Sequence, residues 1–241
     1  MLFRSMLRQF GARLAVEGER VRLEPGPPLR GATVQVPGDI SSAAVFLVAA
    51  ALVPRSRVSI RRVSLNPTRT GVLEALAAMG VRIDRSEVDP AVEPTGTLTV
   101  EAAALRGTTI GGALIPRLID EVPVLAVAAA LASGPTEIRD AAELRVKESD
   151  RIAALARELG KMGARIEERP DGLLIHGGAT LRGARVESGG DHRIAMALAV
   201  GGLAAQGETV VEDTACIATS FPGFVEALNA IAGGGVLTAE A

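Results

Sequence analysis

The sequence predicts an α/β fold of repeated helix–strand–helix–strand–strand units with pseudo-three-fold symmetry, as one nearly complete domain plus the tail of a second. Three observations carry this. Asp39, Asp120 and Asp191, 81 and then 71 positions apart, each precede a run of small and branched apolar residues. After each run, a turn marked by Gly or Pro leads to a β-rich stretch and then to an amphipathic helix. The second helix of the first two copies also ends alike, in Ala78-Met79-Gly80-Val81-Arg82-Ile83 and Lys161-Met162-Gly163-Ala164-Arg165-Ile166, with Gly as the stop.

Leu2–Phe10 reads as a helix, Arg13–Glu17 with Arg20–Leu23 as a hairpin, and Pro25–Pro28 as a linker. Residues 1–36 hold no core of their own and are expected to be the end of a unit that begins elsewhere. Residues 37–241 hold the three units. In the first, Asp39 caps a helix through Ile40–Val53, followed by strand Arg57–Val63, helix Thr70–Met79 and strand Thr97–Ala102. In the second, Asp120 caps the apolar run Val122–Ala132, followed by strand Pro135–Arg139, helix Asp150–Met162 and strand Leu173–His176. In the third, Asp191 opens the helix, and strand Glu208–Glu212 and helix Phe221–Ile231 follow. Asp is a favoured N-cap, and helices apolar nearly all round belong inside a core.

Apolar residues make up 48% of the 241 and charged residues 22%, as in a globular chain. A net charge of -2 gives no electrostatic reason to expect nucleic acid or anionic membrane as a partner. The longest apolar runs are too short to span a bilayer. Five Phe with no Trp or Tyr leave few stacking platforms, so ligands must be held by charge and hydrogen bonds. One cysteine, Cys216, excludes an internal disulfide and points to a reducing cytoplasm.

Chemistry concentrates in Leu144-Arg-Val-Lys-Glu-Ser-Asp-Arg151. One reading is a capped helix start with surface ion pairs, Ser149 being the N-cap and Asp150 favouring the macrodipole. Arg151 argues against it, because a cation in the first helical turn opposes the macrodipole. Arg193 occupies the same place after Asp191. Two arginines where backbone N–H groups also point form an anion site suited to a carboxylate or phosphate. Glu148 beside them is a candidate proton donor or acceptor. Asp120 is open to two readings, a catalytic carboxylate or an N-cap like Asp39 and Asp191. His192, His176 and Cys216 read as structural. No spacing resembles a metal site, a phosphate loop or a dinucleotide fingerprint.

Leu144–Arg151 (LRVKESDR), Val36–Ala44 (VPGDISSAA), Asp120–Ala130 (DEVPVLAVAAA), Asp191–Ala197 (DHRIAMA) and Ala218–Phe224 (ATSFPGF) resemble successive motifs of the EPSP synthases, in the family order, from about Met6 to Ile231. The resemblance implies transfer of the enolpyruvyl group of phosphoenolpyruvate to the 5-hydroxyl of shikimate 3-phosphate, releasing phosphate, with no metal or organic cofactor. It implies two domains with ligands in the cleft between them. It casts Asp120 as a shikimate 3-phosphate contact and acceptor of the hydroxyl proton, and Lys147 as a second contact. Glu148 becomes the acid–base residue for the methylene carbon, and Arg151 and Arg193 the grip on the phosphoenolpyruvate carboxylate. Thr219 stands where some members carry a Lys. The family's N-terminal Lys-Ser-x-x-x-Arg segment, Gly-rich loop and Ser-Ser-Gln contacts have no counterpart in these residues, so activity is expected to require an N-terminal half as a separate chain. Two other readings stand beside this: an inactive truncated fragment, and a relative of the UDP-N-acetylglucosamine enolpyruvyl transferases.

Overall fold

A computed structural model describes residues 2–18, 20–90 and 93–238; the expected outer limits at Met1 and Ala241 lie outside them. Helix α1 (Leu2–Gln9) and the hairpin β1 (Arg13–Glu17) and β2 (Arg20–Glu24) come first. The first unit is α2 (Ile40–Leu52), β3 (Arg57–Ser64), α3 (Gly71–Ala78), β4 (Ile83–Asp89) and β5 (Thr95–Glu101). The short strand β6 (Thr109–Ile110) leads into the second: α4 (Val122–Leu131), β7 (Thr136–Ile138), α5 (Arg151–Lys161), β8 (Ile166–Arg169) and β9 (Gly172–Ile175). The third consists of β10 (Arg185–Glu187), α6 (His192–Ala204), β11 (Val210–Glu212), α7 (Ile217–Ser220) and α8 (Phe224–Ala232).

The repeat extends to strand pairing. In the first unit β5 lies between β3 and β4, antiparallel to both; in the second β9 lies between β7 and β8 in the same way. Two strands escape the sequence reading, β6 and β10, which pair parallel to β7 and β11. At two and three residues they are too short to display alternation. The shared glycine stop serves one geometry: Gly80 and Gly163 have φ of +96° and +97°, where a β-carbon is disfavoured.

The core is built on α2, α4 and α6, which pack against one another. Leu47, Leu125 and Leu198 are fully buried, and each contributes about 1.5–3 kcal/mol by leaving water. Phe46 of α2 meets Phe221 and Phe224 with ring centroids 5.8 and 6.0 Å apart, fastening the ATSFPGF segment to the first helix. None of the described side chains from residue 4 to 39 is buried, and Leu23, Leu29 and Val36 stand exposed. Among the described residues no single helix is long and apolar enough to cross a membrane.

Candidate active site

Helix starts decide where the charges go. Asp39 caps α2 through the backbone N–H of Ser42 at 2.8 Å, and Asp191 caps α6 through those of Arg193 and Ile194 at 2.9 and 3.4 Å. The cap of α5 is Asp150, which accepts from the Ala153 N–H at 3.0 Å, and not Ser149, whose hydroxyl instead donates to Asp191 at 3.1 Å. Asp120 breaks the pattern. It sits in a single 3₁₀ turn, Ile119–Glu121, before α4, whose cap position is Glu121 with no side-chain capping bond. Pro123 in the first turn of α4 brings no N–H that needs a cap. Capping therefore explains Asp39 and Asp191 but leaves the Asp120 carboxylate free to face its neighbours.

Those neighbours are four cations. Lys147 Nζ and Arg151 Nη1 lie 3.8 and 3.3 Å from Oδ1 of Asp120. Arg69 Nη2 and Arg193 Nη2 each lie 3.9 Å from Oδ2. Burial pushes the Asp120 carboxyl up, but Arg193, Lys147, Arg151 and Arg69 outweigh it and hold it below the ordinary carboxylate value. The carboxylate is thus anionic near neutral pH, with two cations on each oxygen.

Arg151 is the keystone of the cluster. Its side chain is 0% exposed and it donates to three carboxylates: Asp191 at 2.8 and 3.3 Å, Glu148 at 2.6 Å and Asp120 at 3.3 Å. Burial raises the Asp191 carboxyl, but the Arg151 guanidinium and the N–H of Arg193 bring it below its usual value. The open anion site expected at these helix starts is accordingly different: the first N–H groups belong to the Asp caps, and Arg151 is filled by the chain's own carboxylates. Glu148, half exposed, is the partner best able to swing aside. Arg193 is looser, reaching the Asp120 carbonyl oxygen at 3.5 Å. Lys147, after a 3₁₀ turn, also pairs with Glu143 at 2.8 Å. The five residues singled out in the sequence, Asp120, Lys147, Glu148, Arg151 and Arg193, therefore meet in one place.

The sequence reading missed three others. Glu121 is buried, its Oε1 accepts a short hydrogen bond from the Ser41 hydroxyl, and its Oε2 has no hydrogen-bond partner. Ser41 accepts from Arg69 at 2.8 Å. Burial pushes the Glu121 carboxyl above its ordinary value against the pull of Ser41, Arg69 and Arg193. A charge heading an otherwise uncharged buried run, Val122–Ala132, was the available signal.

Among the described residues, the remaining candidates form no hydrogen bond or ion pair with the cluster, although His192, between Asp191 and Arg193, feels the charges of Arg193, Asp191, Glu148 and Arg151. Burial and Arg193 lower the His192 imidazole, which is neutral near pH 7. His176 bridges Arg165 and Glu167 at 2.6 and 2.7 Å. Cys216 donates to the Asp213 carbonyl oxygen at 3.3 Å, and Thr219 to that of Cys216 at 2.7 Å. Among the described residues no group of three or more His, Cys, Asp or Glu is placed to hold a metal. A cavity of about 670 Å³ opens at the other end of the core, beside Leu52, Leu131 and Leu203. Helix C-termini gather there, which suits anions poorly.

Comparison with known proteins places these motifs. The family model described as EPSP synthase (3-phosphoshikimate 1-carboxyvinyltransferase) matches residues 2–228. The 3-phosphoshikimate 1-carboxyvinyltransferase of Desulforudis audaxviator is 56% identical over 227 residues, covering 94% of this chain and 53% of the relative. That of Gloeobacter violaceus is 57% identical over 226 residues, covering 92% and 52%. A solved EPSP synthase from Acinetobacter baumannii superimposes with a TM-score of 0.91 at 40% identity, over 95% of this chain and 53% of that one. The chain spans about half the length of the curated relatives it matches.

Proposed function

The chain belongs to the EPSP synthase family, and we propose that it supplies the acid–base half of an active site that transfers the enolpyruvyl group of phosphoenolpyruvate to the 5-hydroxyl of shikimate 3-phosphate. The observation that carries this reading is the Asp120 carboxylate with two cations on each oxygen and Glu148 alongside, bonded to Arg151. Asp120 takes the hydroxyl proton as that oxygen bonds to the central carbon of phosphoenolpyruvate, and Glu148 gives a proton to the methylene carbon. In the second step the carbon–phosphate oxygen bond breaks, Glu148 takes a proton back from the methyl group, and phosphate leaves with the proton that Asp120 had taken from the hydroxyl. Lys147 contacts shikimate 3-phosphate, and Arg193 grips the phosphoenolpyruvate carboxylate, joined by Arg151 once half-exposed Glu148 swings off it.

The charges suit this order of events. In the free site the four cations make Asp120 a weak base. Two polyanionic substrates spend those cations on their own oxygens, so Asp120 gains basicity when the hydroxyl is beside it. Residues 1–36 are assigned to the end of one domain and 37–241 to the other, in a cytoplasmic enzyme completed by an N-terminal half on a separate chain. The test is phosphate release by this chain mixed with the first half of a relative. Asp120→Asn in that assembly is expected to lower turnover about 10²–10⁴-fold; near-normal turnover removes Asp120 from the mechanism.

A further inference from the structure

Asn66 fixes the turn that carries Arg69: its side-chain oxygen accepts from the Thr68 N–H and hydroxyl at 3.1 and 2.8 Å, and the Arg69 N–H donates to its carbonyl at 2.9 Å. From that turn the guanidinium donates to the Ser41 hydroxyl, which donates in turn to Oε1 of Glu121. The same Nη2 stands 3.8 Å from Oε1 of Glu121 and 3.9 Å from Oδ2 of Asp120, between two carboxylates on neighbouring residues. An arginine present only to neutralise Glu121 would bond it directly. This one bonds the Ser41 hydroxyl and leaves Nη2 nearly equidistant from Glu121 and Asp120, so its charge serves both carboxylates, with 41% of its side chain open. Glu121 stays 2% exposed with Oε2 unpartnered, an arrangement that burial alone disfavours.

We propose that Arg69, aimed by Ser41 and Glu121, is a positioning residue that holds the Asp120 carboxylate at Oδ2, while Lys147 and Arg151 hold Oδ1. The role assigned to Asp120 rests on the function proposed above; the contact does not. The charged groups facing Asp120 are Arg69, Lys147, Arg151 and Arg193, with Glu121 and Glu148 as the nearby carboxylates. Three cations remain when Arg69 is removed, so its share is separable.

The test is a ¹³C NMR titration of the Asp120 carboxyl in this chain without substrate. Arg69→Gln is expected to move the midpoint up, and Arg69→Lys to restore most of the difference. Ser41→Ala keeps the charge but removes the hydroxyl that aims it, and is expected to move the midpoint up by a smaller amount. In the enzyme assembled with a relative's first half, Arg69→Gln should lower kcat more than it raises KM for phosphoenolpyruvate, and shift the acid limb of the pH profile upward. A midpoint in Arg69→Gln equal to that of the parent overturns the proposal, as does an unmoved midpoint in Ser41→Ala. Because the titration needs no substrate, its failure is distinct from failure of the enzymatic reading, which would appear as turnover retained in Asp120→Asn.

Discussion

Replacing Arg151 with Met should destabilise the fold far more than the same change at Arg193, although both open a helix beside an Asp cap. Arg151 is 0% exposed and its principal partner, Asp191, is 0% exposed too. Removing one member of a buried pair costs about 3–5 kcal/mol. Asp191 keeps its bonds from Ser149 and the backbone of Arg193 and Ile194, so the lower end, about 3 kcal/mol, is the better figure. At about 2–4 °C per kcal/mol for a chain of this size, Tm falls by about 6–12 °C. Arg193 has looser contacts, 3.5 and 3.9 Å, and remains partly exposed; its loss should stay within about 1 kcal/mol. Calorimetry and urea unfolding of the two variants at pH 7 read the difference. The gap should also close in acid. The folded Asp191 carboxyl lies below its ordinary value of 3.8, so its contribution is present above that pH and is lost as pH falls through the folded value. Equal losses at both arginines, or an unchanged Tm in Arg151→Met, would refute the keystone argument.

Three further outcomes follow from the same geometry. Glu148→Gln, in the assembly with a relative's first half, should cut turnover about 10²–10⁴-fold while shikimate 3-phosphate affinity in calorimetry stays near normal. The Glu121 carboxyl, raised above its ordinary 4.5 by burial, contributes most when protonated and loses that contribution as pH rises. Glu121→Gln should therefore gain stability relative to the parent between pH 4 and 8 in urea unfolding, and a constant gap would contradict the sign. Phe224→Ala, removing a side chain 1% exposed between Phe46 and Phe221, should cost about 3–5 kcal/mol in the same measurement.

Patterns confined to one stretch of chain were legible in the sequence. The repeated Asp before an apolar run located α2, α4 and α6, and the Gly stops located the ends of α3 and α5, because capping and helix termination act within a few residues. Asp120 shows the limit: it matches Asp39 and Asp191 in the string, yet the Ile119–Glu121 turn and Pro123 shift α4 past it. The reading of Ser149 as the cap of α5, which Arg151 already argues against, misses by one residue for a tertiary reason, since Asp191, 42 positions away, claims its hydroxyl. The Arg69–Ser41–Glu121 chain joins residues 28 and 80 positions apart, and no local pattern announces such a link. Arg151 stands out in the sequence because its charge opposes the helix dipole. That it is fully enclosed by carboxylates depends on α5 and α6 meeting, which only the fold supplies.

On the proposed function, these residues hold the acid–base side of a site whose remaining anchors lie on another segment. The direct measurement is phosphate release by the purified 241-residue chain with phosphoenolpyruvate and shikimate 3-phosphate, before and after adding the first half of a relative. Positioning both substrates is worth about 7–11 kcal/mol of barrier, so the chain alone should show no turnover above background and the mixture should show it clearly. Strong turnover from the chain alone, or none from a stable complex of the two, would contradict the account.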